Sequence, residues 1–83
     1  AETRHRGDPR REDARADLAA LNAREKEVAI AIGRGMTNAE ISARHYLSLA
    51  TVKGVVTQIF DKLGLTNRVQ VAIKVHDAGW ADD

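Results

Sequence analysis

The sequence predicts an all-α fold, a four-helix, bundle-like domain that contains a helix-turn-helix and follows a charged linker. Three observations support this prediction. Apolar residues recur at spacings of three and four, a capping residue precedes each such segment, and the 83 residues contain neither a cysteine nor an apolar run long enough to cross a bilayer. A chain of this length forms one small domain. We place the linker at residues 1–20 and the domain at residues 21–83.

The linker is a mixture of charges. Residues 1–20 contain five arginines and five acidic residues, and Leu18 is their one large aliphatic side chain. Such a segment is expected to bury no core, and the part up to about Gly7 is expected to be disordered. From Asp8, a suitable N-cap that Pro9 follows, the composition favours a helix to about Ala20.

Two capping boxes mark the starts of the first two helices of the domain. Asn22 pairs with Glu25, and Thr37 pairs with Glu40, in the spacing that lets each side chain bond the other residue's backbone N–H. The first helix is predicted from residue 23 to about residue 34 and the second from 38 to about 44. The inner stripe of the first is formed by Val28, Ala29, Ala31 and Ile32.

A third helix is predicted from the N-cap Ser48 to Gly64, which supplies a left-handed terminal residue. Its apolar stripe consists of Val52, Val55, Val56, Ile59, Phe60 and Leu63. The other faces carry hydroxyls, an amide and two lysines. Because only residues 45–47 separate it from the helix before, the pair has the spacing of a helix-turn-helix, whose second helix enters the major groove of DNA. An ordinary amphipathic surface helix has the same periodicity.

The fourth helix, capped by Thr66 or Asn67, is predicted to extend to about Ala78. One face carries Val69, Ala72, Ile73 and His76, which we expect to pack inward; a second face carries Val71 and Val75. A helix that is apolar on two sides either penetrates the core deeply or has a partner.

Several blocks of the sequence resemble the LuxR/NarL/FixJ-type DNA-binding domain. They are residues 21–25, 35–41, 51–53, 62–64 and 67–70, together with Ser48, and the resemblance spans about residues 21 to 79. It implies the effector domain of a bacterial, cytoplasmic transcriptional regulator, preceded in a longer chain by a receiver or sensor domain. We favour a two-component response regulator. The alternatives are a ligand-sensing quorum-type regulator and a helical protein-interaction module that binds no nucleic acid.

The resemblance and the helical spacing together indicate the site residues. Lys53, Gly54 and Thr57 share one helix face and are the predicted base contacts, with Lys53 as the main donor to guanine. Residues near helix ends are predicted to contact the DNA backbone, namely Asn38, Ser48, Thr51, Lys62 and Arg68. In the family the fourth helix forms a homodimer on inverted half-sites, and we place Val71, Lys74 and Val75 at that contact.

Other classes of function find no support in the sequence. The three histidines stand in unrelated contexts, no zinc-protease spacing or phosphate-binding glycine loop occurs, and no thiolate is available. We therefore expect no catalytic site, metal or cofactor and no membrane partner. The formal net charge is only +1 at pH 7. DNA binding must then depend on the local placement of lysines and arginines and on pairing of two domains.

Overall fold

The computed structural model describes residues 9–81, which form five helices and no strand. They are α1 (Pro9–Leu18), α2 (Ala23–Gly33), α3 (Asn38–His45), α4 (Leu49–Leu63) and α5 (Arg68–Asp77). Helix α2 packs against both α4 and α5, α3 packs against α4, and α1 packs against α5. The all-α prediction is confirmed, with α1 as a fifth helix. The predictions for Asp8 and for the segment up to Gly7 lie outside the described residues.

Both predicted capping boxes are present, and they begin α2 and α3. Asn22 Oδ1 accepts the backbone N–H of Glu25 at 2.8 Å, while Glu25 Oε1 accepts that of Asn22 at 2.9 Å. The same exchange joins Thr37 and Glu40, at 3.1 and 2.8 Å. These bonds satisfy backbone donors that the first turn of a helix leaves unpaired.

The predicted inner stripe of α2 and the middle of the predicted apolar stripe of α4 are buried in the core. The apolar stripes of α2 and α4 face each other, so that their central residues are shielded from water. The buried members are Val28, Ala29, Ala31 and Ile32 of α2 and Val52, Val56 and Ile59 of α4. Leu21 and Ile41 complete this layer. Burial of this surface is the main favourable contribution to folding.

Helix α1 belongs to the core, so the expectation that residues 1–20 bury nothing is wrong for this part of them. Leu18 is fully buried and Ala14 nearly so, and both lie in the same hydrophobic cluster as the rest of the core. Arg15 Nε donates a 2.9 Å hydrogen bond to the carbonyl of Ala78. Ala14 and Leu18 are therefore enough to hold the otherwise charged helix α1 on the domain, because α5 offers them an apolar surface.

Helix α5 presents the opposite face from the one predicted. Val71 and Val75 are fully buried, whereas Val69 and Ile73 are 66% and 55% exposed. A Cβ atom at Gly33 would lie 2.6 Å from Val75 Cγ1, so α2 and α5 approach more closely than any larger residue would permit. The assignment of Val71 and Val75 to a dimer contact is therefore wrong, since the domain's own core already covers them.

The polar residues of α5 make contacts within the domain. Lys74 Nζ lies 2.5 Å from Asp17 Oδ2 of α1, and His76 Nε2 donates to the carbonyl of Gly33 at 2.7 Å. Lys74 is half-buried beside α1, so its predicted place in the dimer contact is also unsupported. These bonds fix α5 between α1 and α2.

Candidate nucleic-acid interface

Helices α3 and α4 form a helix-turn-helix in which residues 46–48 make the turn. Tyr46 ends α3 in the left-handed conformation, with a φ of 56°. Ser42 Oγ donates a short hydrogen bond to the carbonyl of Leu47, and Ser48 Oγ accepts the Thr51 N–H at 3.0 Å to begin α4. Since side chains and backbone are joined at both ends of the turn, the angle between the two helices is fixed locally.

One face of α4 is open to solvent along its length. Behind it, the buried stripe rests on α2 and α3, and Gly64 ends the helix with a φ of 67°. The open face displays an amine, two hydroxyls, an amide and a carboxylate, which are the groups that pair with base edges. The exposed residues of α4 are Leu49, Ala50, Thr51, Lys53, Gly54, Thr57, Gln58, Asp61 and Lys62, of which Lys62 turns toward Glu25.

The structure brings the predicted base contacts together on this open face. Lys53, Gly54 and Thr57 are all exposed, and a Cβ atom at Gly54 would meet no atom within 4 Å. Thr57 Oγ1 donates to the carbonyl of Lys53 at 3.1 Å, which leaves its lone pairs free to accept. The absence of a side chain at Gly54 gives the helix a flat strip on which another molecule can approach the backbone. Their contact with bases stays a prediction.

Four of the predicted backbone contacts bond each other in pairs. Ser48 Oγ donates to Thr51 Oγ1 at 2.8 Å. Arg68 Nη1 donates to Asn38 Oδ1 at 2.6 Å, and its Nη2 donates to the carbonyl of Met36 at 2.7 Å. The arginine thus ties the start of α5 to the start of α3. Contact of these residues with phosphate is untested, and each also has a role in holding the fold.

The fifth predicted backbone contact, Lys62, neutralises a buried acid. Its Nζ lies 2.8 Å from Oε1 of Glu25, and the side chain of Glu25 is buried while that of Lys62 is 35% exposed. Burial raises the pKa of Glu25, but the hydrogen bond from Lys62, the Asn22 N–H and the charge of Lys62 outweigh it, so the net pKa lies below its ordinary value. The capping box of α2 and the end of α4 are joined through this one carboxylate.

Replacing Lys62 by methionine should therefore lower the free energy of unfolding at neutral pH. We expect a loss of about 1–3 kcal/mol, less than for a fully buried pair because the lysine reaches solvent. The lowered Glu25 pKa stabilises the fold above its ordinary value of 4.5, and this contribution disappears as the pH falls through the lowered pKa. Urea unfolding at pH 7 and pH 3 should show the difference between the two proteins shrinking in acid.

Lys53→Met is the matched control for that experiment. It removes the same charge from the exposed face of the same helix, where the loss should stay within about 0.5 kcal/mol. Equal losses for the two variants, or a difference that persists at pH 3, would contradict the role assigned to Glu25.

Within residues 9–81 no three or more His, Cys, Asp or Glu side chains are grouped so that they could hold a metal ion. In the same range no helix is both long and apolar enough to span a membrane. A groove of about 220 Å³ lies between α2 and α3; it is lined by Glu27, Ile30, Ala31, Arg34, Met36, Arg44 and His45.

Comparison with known proteins places these helices in a family. The family model for bacterial regulatory proteins of the luxR family, GerE, matches residues 19–75, which include α2 to α4 and most of α5 but not α1. The chain is 42% identical over 59 residues to the probable transcriptional regulatory protein SgaR of Hyphomicrobium methylovorum, covering 71% of this chain and 28% of that protein. No solved structure gives a significant match.

Two proteins from Bacillus subtilis are also similar to this chain. The transcriptional regulatory protein LiaR is 38% identical over 56 residues, covering 68% of this chain and 26% of LiaR. The transcriptional regulatory protein LnrK is 40% identical over 57 residues, covering 69% and 26%. This chain thus spans only about a quarter of the length of these curated relatives. Since the match covers the helix-turn-helix and its supporting helices, the chain belongs to the luxR family of bacterial regulatory proteins.

Proposed function

We propose that the domain binds double-stranded DNA sequence-specifically through the exposed face of α4. The observation that carries this proposal is the strip of Lys53, Gly54 and Thr57, exposed on a helix whose other side is held by α2 and α3. A rigid helix that displays donors and acceptors on its outer face suits the major groove of B-form DNA. Family membership independently supports DNA as the ligand.

Each residue of the strip has a distinct part in the proposed complex. The amine of Lys53 donates to N7 and O6 of a guanine, the commonest specific contact of a basic side chain. Gly54 lets the helix backbone sit close to the floor of the groove, and the Thr57 hydroxyl adds a lesser contact. Ser48 and Thr51, at the start of α4, approach a phosphate without reading sequence.

Lys53→Ala tests base readout. The variant should bind its preferred duplex about 1–3 kcal/mol more weakly and lose its preference at one base pair, because a base-edge donor is removed. Binding-site selection from a random duplex library, followed by fluorescence anisotropy at several salt concentrations, measures both effects. Lys26→Ala is the control, since it removes the same charge from α2, where Lys26 lies over the ring of Trp80. An unchanged selected motif for Lys53→Ala would contradict the assignment.

The domain is proposed to act as a homodimer on inverted half-sites. A net charge of +1 gives weak electrostatic attraction to DNA, so a single domain is expected to bind weakly and two linked domains much more tightly. With Val71 and Val75 in the core, the exposed pair Val69 and Ile73 is the part of α5 left to meet a partner. They stand four residues apart and so form one apolar patch on a single helix face.

Ile73→Glu tests this corrected contact. The variant places a charge on the apolar patch of α5. The new carboxylate stays in contact with solvent, because Ile73 is more than half exposed. Cooperative binding to a duplex with two half-sites should disappear, while affinity for one half-site and the melting temperature should change little. Gel-shift titrations on one-site and two-site duplexes measure the difference. Cooperativity that survives would assign dimerisation to another surface.

The intact protein is proposed to be a two-component response regulator of the bacterial cytoplasm, with a receiver domain in front of α1. The observation that supports an additional domain is that this chain matches only about a quarter of the length of each relative. A quorum-type sensor domain is the alternative. Addition of a phosphoryl donor or of a small ligand to the full-length protein distinguishes the two by which of them changes DNA affinity.

A further inference from the structure

Large hydrophobic side chains that remain exposed in this domain occur as two separate pairs. Among residues 9–81 they are Val69 and Ile73 on α5, and Tyr46 and Leu49 at the helix-turn-helix. The first pair is the patch already proposed for the homodimer. The second pair is not part of the hydrophobic core, since Tyr46 is 95% exposed and Leu49 is 45% exposed. Exposed apolar residues that gather at one place usually mark an interaction surface.

We propose that Tyr46 and Leu49 extend the DNA-reading surface, with Leu49 contacting the C5-methyl group of a thymine and Tyr46 donating its hydroxyl to a neighbouring phosphate. This inference rests on the proposed binding of DNA through α4 and deepens it. Leu49 would then determine specificity by contacting an apolar methyl group, whereas Lys53 would do so by donating hydrogen bonds to a base edge.

The position of Leu49 on α4 supports this contact. Leu49, Lys53 and Thr57 follow one another at intervals of four, so they lie along one ridge of the helix. Leu49 is the first residue of α4, directly after the turn. In helix-turn-helix proteins the N-terminal residues of the second helix are those that contact base edges. The ridge therefore carries an apolar group, an amine and a hydroxyl in succession along the groove.

The conformation of Tyr46 supports the second contact. Its φ of 56° lies in the left-handed region, which a non-glycine residue adopts only when its surroundings hold it there. A backbone hydrogen bond from its N–H to the carbonyl of Ser42 closes the end of α3. The side chain is thereby directed away from the core. A phenol in this position can donate to a phosphate oxygen while its ring packs on the sugar.

DNA fits this surface better than a protein partner does. Exposed polar residues stand near the pair in the sequence, namely Ser48, Thr51 and Lys53. Two exposed apolar side chains are too few for the apolar core of a protein interface. Thymine, in contrast, offers a single methyl group next to hydrogen-bonding atoms and phosphates.

The test replaces thymine by deoxyuridine, one position at a time, in the half-site recovered by selection. Deoxyuridine lacks only the C5-methyl group. For the unaltered domain, one substitution should weaken binding about fourfold, as expected for the burial of one methyl group. Leu49→Ala should bind the thymine and deoxyuridine duplexes equally at that position, and Leu49→Met should restore the difference. Tyr46→Phe should weaken binding to all duplexes alike and leave the selected motif unchanged.

The outcomes separate this inference from the proposed function. If the domain selects no sequence at all, the proposed binding of DNA fails. If it selects a motif but Leu49→Ala keeps the full effect of every deoxyuridine substitution, or if no thymine in the half-site is sensitive, the reading role of Leu49 is wrong while DNA binding stands. If Tyr46→Phe binds as tightly as the unaltered domain, the phosphate contact is wrong. Unchanged DNA binding by Leu49→Ala and Tyr46→Ala together would assign the pair to a protein partner and overturn the proposal.

Discussion

Replacing Val75 by glutamate should unfold the domain at neutral pH. Val75 is fully buried, and its side chain meets Gly33 where α2 and α5 approach most closely. Burial of a charge in an apolar core costs several kcal/mol, a large part of the stability of a domain this small. Circular dichroism should show loss of helix, or a melting temperature lowered by more than about 15 °C.

Ile73→Glu is the matched control for this prediction. It makes the same substitution two positions earlier on the same helix, on the face that is exposed. Its melting temperature should stay within a few degrees of the unaltered domain. If Val75→Glu were as stable as Ile73→Glu, Val71 and Val75 would lie on the exposed face of α5. They would then be available for the dimer contact that the sequence predicted.

Leu18→Ala should lower the free energy of unfolding by about 2–5 kcal/mol, the range for removing a buried leucine side chain from a packed core. Leu18 stands in a segment of mixed charges and just before the residues that the family model matches. Its burial means that α1 is part of the folded domain, docked on α5. Urea denaturation followed by circular dichroism gives the value.

Leu49→Ala supplies the comparison for Leu18→Ala, since it makes the identical change at an exposed leucine. Its effect should stay below about 1 kcal/mol. Comparable losses for the two leucines would show that α1 detaches in solution. Because α1 is docked on α5, the proposed upstream domain would connect directly to the helix that carries Val69 and Ile73, the patch proposed for the homodimer.

The helices and their ends could be predicted from the sequence because their signals are local. Asn22 with Glu25 and Thr37 with Glu40 stand three residues apart, and the capping bonds that they form are present in the structure. The stripes of α2 and α4 each have one apolar face, so periodicity alone decides which side is buried. Spacing along the chain therefore determines both where these helices begin and which of their faces is buried.

The orientation of α5 could not be decided in this way. Both of its faces are apolar, and the face that is buried is chosen by Gly33, which lets Val75 approach α2, a contact 42 positions away in sequence. The docking of α1 was missed for a related reason. A single leucine among charges predicts a solvated segment, unless another helix offers a surface that fits it.

In the candidate site, too, features that depend on local spacing were predicted and contacts between distant residues were not. The strip of Lys53, Gly54 and Thr57 was predicted because the family resemblance and the helical spacing agree, and the structure shows all three residues exposed. The bonds that occupy Lys62 and Arg68 were not, since their partners Glu25 and Asn38 lie 37 and 30 positions away. Both cations were proposed to contact phosphate, and both in fact also join helices within the domain.

Amide chemical shifts of the isotope-labelled domain test most directly whether DNA binds to the outer face of α4. The domain would be titrated with a duplex that contains one selected half-site, so that dimerisation does not perturb α5. We predict that the largest shifts fall at residues 46–58, with little change in α1 and α5. Shifts concentrated on α5 or in the groove between α2 and α3, or no shifts at all, would contradict the account.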